Sequence, residues 1–381
     1  MQAVQARRMP KVPAFRPRRG RANSAEQGFA YAKACGIISK SFTGKQISPL
    51  AKVKSLNELD RLVFPGVNRE LPGRELLTDI EKRILQRTTK HILAIINSFD
   101  NPPELLVRQL RSCEYADLKN CLHHIAAGKP APSSLSDIGR FRTVRFEAYP
   151  DLAAMLAGSE FEFLLAKDLD DLKSPGFDMA ALETKMDLHY YTLLTGSVRQ
   201  IPAEDRGFIE QLLTEEISLR NCVWALRLRT YFEKKPGEAV QHLMDIKMHY
   251  SGDTPRRTTA SAFEGSGFGR KISLAAEARA MLHFPLDYRP AWKGWRWESL
   301  LNPTGENELW SASPRYFQNA ASQYIYRRAM RFFRLLPASL TAIFCFIKLK
   351  QFEEDLLTSI TEGMALGMSG DDVFGLIEVN K

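Results

Sequence analysis

The feature that most constrains this chain is a five-residue phrase used twice. Asp117-Leu118-Lys119-Asn120-Cys121 and Ser218-Leu219-Arg220-Asn221-Cys222 follow the same order of polar, apolar, basic, amide and thiol side chains. Each is preceded by a proline-led helix start, Pro102-Pro103-Glu104-Leu105-Leu106 in one case and Pro202-Ala203-Glu204-Asp205 in the other. Each is followed by an apolar run with helical spacing. A third, degenerate copy lies in 336–363, where Pro337 opens the helical run and Asp355-Leu356 stand in place of the basic-amide pair. Self-similarity at a fixed period, here about a hundred residues, means one supersecondary unit used several times. The chain therefore reads as all-α, with three pseudo-symmetric helical repeats. They are laid out as 23–130, 137–250 and 272–381, behind a basic tail at 1–22 and with a linker at 251–271.

Local signals fill in the units. Ser24 caps a helix that runs to about Gly36, with Gln27 at the capping-box position. Residues 47–64 give two short helices, the second capped by Ser55 with Glu58 three residues on. Residues 71–100 give a long amphipathic helix whose apolar stripe is Leu77, Ile80, Ile84, Leu85, Thr88, Ile92, Ile95 and Ile96. A helix from Pro103 and one through Leu118–Ile125 follow, with Gly128 as the stop. The second unit repeats the plan: short helices in 151–165, a long helix from Met179 to about Ser197, a Pro202-led helix, and one through Arg220–Tyr231. A further helix is expected over 239–248. The third unit has a short helix at 273–282, a Trp-rich insertion at 292–310, and long helices at 316–335 and 339–361. Phe141–Phe146 alternates but reads as a loop, and no other strand is expected.

With 44% apolar and 25% charged residues, the chain falls in the ordinary globular class. Its net charge of +9 makes acidic partners the natural ones. Arg7, Arg8, Lys11, Arg16, Arg18, Arg19 and Arg21 crowd into the first 22 residues without an acid, a composition that builds no core. Cys35, Cys113, Cys121, Cys222 and Cys345 are odd in number and lack a C-x-x-C pair, which favours buried thiols and a reducing compartment. The longest apolar run, about a dozen residues from Leu335, is short of the ~20 that span a bilayer.

Chemistry-bearing constellations are weak. His123-His124 point about 100° apart on a helix, and His242 with His249 lacks a third ligand, so no metal site is expected. Gly265–Gly269 lacks the strand and the Lys-Ser/Thr ending of a phosphate loop and reads as linker. The acids Asp168, Asp170 and Asp171, and Glu353, Glu354 and Asp355, read as solvated charges. No nucleophile has a matching base. The strongest feature is basic: Arg220 and Arg227 lie two turns apart on one helix face beside Asn221 and Trp224. With Lys119, Asn120 and Arg229 they form the candidate surface for an acidic partner. The tryptophans 292, 295, 297 and 310 stack on bases, anchor a protein contact or form a satellite core.

Taken in order along the chain, these phrases resemble a known family: the central-stalk subunit of rotary V/A-type ATPases, in its C-type form in bacteria and archaea and its d-type form in eukaryotes. The carriers are Phe29-Ala30-Tyr31-Ala32-Lys33-Ala34, then Ser55-Leu56-Asn57-Glu58-Leu59. The pairs Lys119-Asn120 and Arg220-Asn221 follow, and Glu362-Gly363…Gly367-Met368-Ser369 closes the series after Gln351-Phe352-Glu353. The resemblance covers about residues 28–377. It implies a funnel-like, non-catalytic protein with no cofactor and no small-molecule substrate. Such a protein sits on the cytoplasmic face of the membrane rotor ring, peripheral to the membrane and without a transmembrane segment, and receives the tip of the central shaft. It couples ATP hydrolysis or synthesis to ion transport. On that reading no nucleic acid is expected. The rival reading is a basic helical-repeat nucleic-acid-binding module, resting on the tail, the arginines and the tryptophans. A helical enzyme is disfavoured because no catalytic set converges.

Overall fold

The computed structural model describes residues 24–66, 71–166, 168–169, 171–249, 263–264, 271–304 and 309–377. The basic tail, the Gly265–Gly269 stretch and most of the 251–271 linker lie outside the described residues. In chain order the helices are α1 (Ser24–Ile38), α2 (Ser48–Ala51), α3 (Leu56–Val63), α4 (Gly73–Ile96), α5 (Glu104–Leu110), α6 (Ser112–Ala126) and α7 (Leu152–Leu156). They continue with α8 (Met179–Val198), α9 (Ala203–Thr230) and α10 (Pro236–Ala239). After three short strands come α11 (Ala276–Met281), α12 (Pro314–Leu335), α13 (Leu340–Ala365) and α14 (Gly370–Ile377). The chain is mostly helical, as its periodicity requires. None of its described helices is long and apolar enough to cross a membrane.

Side-chain chemistry sets the helix starts. The Ser55 hydroxyl accepts from the Glu58 N–H while the Glu58 carboxylate accepts from Lys54 N, tying down the first turn of α3 from both sides. Asp151, Asp178, Ser313 and Ser339 cap α7, α8, α12 and α13 in the same manner. At the far end, α14 folds back against α13 and α2. A side chain at Gly363 would run into Val373, and one at Gly370 would strike the backbone carbonyl of Leu50. Glycine at both places is what permits the close approach.

Four long helices thread three apolar cores. The main core takes Ile92, Ile95 and Ile96 of α4, Ile209, Leu212, Leu213 and Ile217 of α9, Phe332 and Phe333 of α12, and the start of α13. A second core packs Leu76, Ile80 and Ile84 of α4 against Leu356, Leu357 and Ile360 of α13 and Val373 of α14. The third packs Cys222, Leu226 and Leu228 of α9 and Phe317 of α12 around the tryptophans. From Leu340 to Ile347 every residue of α13 is buried, the pattern of a helix enclosed on all sides. In α4 Ile80, Ile84, Thr88, Ile92, Ile95 and Ile96 are buried as expected, but Leu76 rather than Leu77 enters the core and Leu85 is only half-buried.

Two features depart from the sequence reading. The helix expected over 239–248 is only α10 and a short 3-10 turn; the chain then runs into β1 (Lys247–His249). With β2 (Phe263–Glu264) and β3 (Lys271–Ser273) it forms an antiparallel sheet in the order β1-β3-β2, Met248 opposite Ile272. The cause is legible afterwards: Met244, Ile246 and Met248 alternate with Asp245, Lys247 and His249, a period of two. Ile246, Met248, Ile272 and Leu274 all join the main core. Second, the Pro202-led helix and the helix through Arg220 are one continuous rod, the 28 residues of α9.

Of the acids at 353–355, Asp355 is exposed, but Glu353 and Glu354 are not simply solvated. Lys350 and Glu353 form an ion pair with both side chains almost fully buried. Glu353 also accepts from Phe42 N at 2.9 Å, and Lys350 donates to Ser41 Oγ at 3.1 Å. This pair fastens α13 to the loop after α1. Burial and the neighbouring Asp355 push the Glu354 carboxyl up to about 8. The sequence hides this because Lys350 and Glu353 stand on a part of α13 that distant segments, among them the loop after α1, cover.

Candidate partner-binding cleft

Each of four long helices lends one polar face to a common cleft of about 420 Å³. From α8 come Ala180, Glu183, Thr184 and Asp187; from α12, Gln318, Ala321, Ser322 and Ile325; from α13, Lys348, Gln351, Phe352 and Asp355. Each set follows i, i+3, i+4, i+7, which places its members on one side of a helix. α9 supplies Glu216, Arg220, Val223, Trp224 and Arg227.

The centre of the cleft is electrostatic. Glu216, 8% exposed, accepts from Lys348 Nζ at 2.8 Å and from the Tyr191 hydroxyl at 3.0 Å, with Arg220 Nε at 3.7 Å. Burial pushes its carboxyl up, but Lys348 and Arg220 outweigh that and hold it below the usual range. Asp355 is exposed in the cleft, yet the surrounding walls push it up to about 6 against the opposing pull of Arg220 and Lys348. Within the walls, the Trp224 indole N–H and Glu216 Oε2 find no hydrogen-bond partner among the described residues.

The sequence candidates divide three ways. Arg220, its side chain 59% exposed, lies over the Tyr191 ring and faces the cleft. Arg227 also lines it and donates to Gln318 Oε1 at 2.5 Å. Lys119 reaches it at second hand, paired with Asp187 of the cleft wall at 2.7 Å. Asn120 is exposed on α6. Asn221 is 1% exposed, and its amide is fully used: it donates to the carbonyls of Met244 and Leu274 at 3.0 and 3.1 Å and accepts from Met244 N at 2.8 Å. It thereby fastens the stretches leading into β1 and out of β3 to α9. Arg229 points elsewhere, donating to the carbonyls of Met281 and Phe284 beyond α11.

Sequence reasoning missed Lys348, Gln351 and Asp355. Their signal was available, a polar stripe at i, i+3 and i+7, but Lys350, Glu353 and Glu354 beside it blur the pattern. The tryptophans form a core, not a stacking platform. Trp292, Trp295, Trp297 and Trp310 are all buried, and their N–H groups donate to Pro285 O, Glu277 O, Ser218 Oγ and Asn302 O. His123 bonds Glu183 and His124 bonds the Pro130 carbonyl; among the described residues no three His, Cys, Asp or Glu side chains could share a metal ion. The cleft offers alternating positive, negative and apolar side chains.

Known proteins place the chain. A family model described as the ATP synthase (C/AC39) subunit matches residues 32–264. An uncharacterized protein of Treponema pallidum (strain Nichols) is 24% identical over 339 residues, covering 89% of this chain and 92% of its own length. The family match bears out the resemblance drawn from the sequence phrases, and spans both clear copies of the repeated one: the chain belongs to the ATP synthase (C/AC39) subunit family.

Proposed function

We propose that this protein is a non-catalytic central-stalk subunit of a rotary ATPase. It rests on the membrane rotor ring at the cytoplasmic face and receives the tip of the shaft in the cleft between α8, α9, α12 and α13. It needs no cofactor and no small-molecule substrate. One observation carries the reading. Lys119, Arg220 and Asp355 hold the same place in the three copies of the repeated phrase, and all three bear on one cleft: Arg220 and Asp355 line it, and Lys119 is paired with its wall residue Asp187. That convergence supports three helical units, 23–130, 137–250 and 272–381, arranged about a funnel-like cavity.

The physics of the task fits the cleft. A coupler transmits rotation only if its partner cannot slip, and alternating charges fix the register of a docked surface better than apolar area does. Arg220, Arg227 and Lys348 against Glu183, Asp187 and Asp355 offer such a pattern. Load arriving there passes into long helices whose ends are held in separate cores.

The test is a native pull-down of the tagged chain from gently solubilised membranes, with partners identified by mass spectrometry, for wild type and for Arg220→Glu/Arg227→Glu. Wild type recovers catalytic, shaft and ring subunits of a rotary ATPase. The double variant keeps the ring and loses most of the shaft, and ATP hydrolysis uncouples from ion movement. Unchanged assembly and coupling in the variant would sink the cleft assignment. Recovery of nucleic acid or ribosomal proteins without ATPase subunits would replace the whole reading with the basic-binder one.

A further inference from the structure

A second surface lies on α12 and adjoins the cleft at Tyr326, with its arginines on the opposite side of the helix. The charged residues of this helix are all basic: Arg315, Arg327, Arg328, Arg331 and Arg334. Arg328 is paired with Glu215 at 3.1 Å and turned toward the body of the protein. The other three of its last turns differ. Arg327, Arg331 and Arg334 are exposed, stand at i, i+4 and i+7, and make no ion pair among the described residues. With Tyr326, Met330 and Leu335 they line a shallow trough of about 500 Å³. The stripe runs about 10 Å along the helix at 1.5 Å per residue.

Three guanidinium groups held this close repel one another, and no acid among the described residues is paired with them to relieve it. Their backbone is rigid, because Ala329, Phe332 and Phe333 on the opposite face are buried in the main core. We infer that the Arg327–Arg331–Arg334 face of α12 is a docking surface for an acidic amphipathic α-helix of another protein. A helix laid along it presents carboxylates at i, i+4 and i+7 in register with the three forks, and each guanidinium can take a carboxylate in bidentate fashion. Met330 and the 56% exposed Leu335 supply the apolar contact beside the charges.

The surroundings favour a protein helix over other polyanions. A membrane-surface helix needs an apolar face to sink between headgroups, and the apolar face of α12 is already spent in the core. Single-stranded nucleic acid takes hold on open aromatic platforms, and a stripe of about 10 Å meets only a few phosphates of a duplex. The one aromatic residue here, Tyr326, is stacked on Phe352 at 4.3 Å, and its hydroxyl accepts from Gly44 N at 2.8 Å.

The test uses the full chain and a synthetic helical peptide carrying glutamates at i, i+4 and i+7, with a sequence-scrambled isomer and phosphatidylglycerol vesicles as comparison probes. The striped peptide binds wild type about tenfold more tightly than the isomer, and added salt weakens it. Arg327→Glu/Arg331→Glu/Arg334→Glu abolishes that preference. The conservative triple change to lysine keeps the sign of the charge and loses only part of it, since an ammonium cannot fork. The basic tail is common to all variants, so the difference reads α12 alone. A thermal melt checks that the variants fold; Arg331→Glu alone serves if the triple change does not. Equal binding of striped and scrambled peptides, binding undiminished by charge reversal, or stripe-dependent binding of vesicles but not peptide would each overturn the inference.

Discussion

Asn120 on α6 and Asn221 on α9 occupy the same place in the same phrase, yet their surroundings are opposite. Asn120 is exposed, whereas Asn221 is sealed beneath the approaches to β1 and β3 and satisfies three backbone groups there. The residues that open the phrase differ as well. Asp117 accepts from the N–H and hydroxyl of Ser136, and Ser218 accepts from the Trp297 indole N–H. What the two copies share is a buried leucine and a buried cysteine, Leu118 and Cys121 in one and Leu219 and Cys222 in the other, and between them a basic residue that bears on the cleft. A short phrase can keep its apolar positions and its basic one while the opening residue and the amide take whatever role the local packing lays against them.

The largest expected effect tests that contrast directly. Asn221→Ala leaves the Met244 N–H and the Leu274 carbonyl buried without their side-chain partner, while the Met244 carbonyl keeps the Ile246 N–H, and is expected to cost about 2–4 kcal/mol. Asn120→Ala is expected to stay within about 0.5 kcal/mol. Urea unfolding of the two variants measures both, and equal losses would break the comparison.

Next in size, Trp297→Phe keeps most of the ring volume but strips the Ser218 hydroxyl of its donor. A loss of about 1–2 kcal/mol is expected in the same assay. The corresponding position of the first copy titrates instead. Burial pushes the Asp117 carboxyl up to about 6 despite its bonds to Ser136. A carboxyl raised in the folded state carries no penalty when protonated in both states and a growing one as the pH climbs from about 4 through about 6. Asp117→Asn is therefore expected to unfold at higher urea than wild type relative to their order at pH 4, with the gap opening by pH 7. Ser218→Ala is expected to show no such pH-dependent gap.

The smallest effects belong to the shared basic residues. Lys119→Ala and Arg220→Ala are each expected to change the stability of the isolated chain by no more than about 1 kcal/mol, because their pairs are partly open to water. If either costs much more, its role is to hold the fold and not to meet a partner.

How far the sequence could be read follows the range of the forces involved. Local chemistry was legible: the Ser55–Glu58 cap, the proline-led starts of α5 and α9, and most of the apolar stripe of α4, with Leu77 and Leu85 the exceptions. What escaped depends on distant residues. No proline or glycine separates α5 from α6; the break is at Arg111, whose side chain is tied to the Phe141 carbonyl and Glu160. At the matching place α9 runs straight through. The cleft assembles from two helix pairs, α8 with α9 and α12 with α13, that are far apart in the chain, so its members on α13 could be seen only as an unexplained polar stripe. The alternation of Met244, Ile246 and Met248 was in plain view, but a strand that short competes poorly with a helical reading until its partners are known.

The unbroken course of α9 has a consequence of its own. Ile217 packs in the main core and Leu219, two residues on, packs with the tryptophans. The helix is thus held in phase at both ends along its length of about 42 Å. One residue inserted between Thr214 and Leu219 would leave each core intact in composition but turn one half against the other by about 100°. Cys222 and Leu226 would swing out of the aromatic core, and Arg220 out of line with Asp187 and Asp355. Length between the two cores, and not only sequence within them, is then a property this chain has to keep.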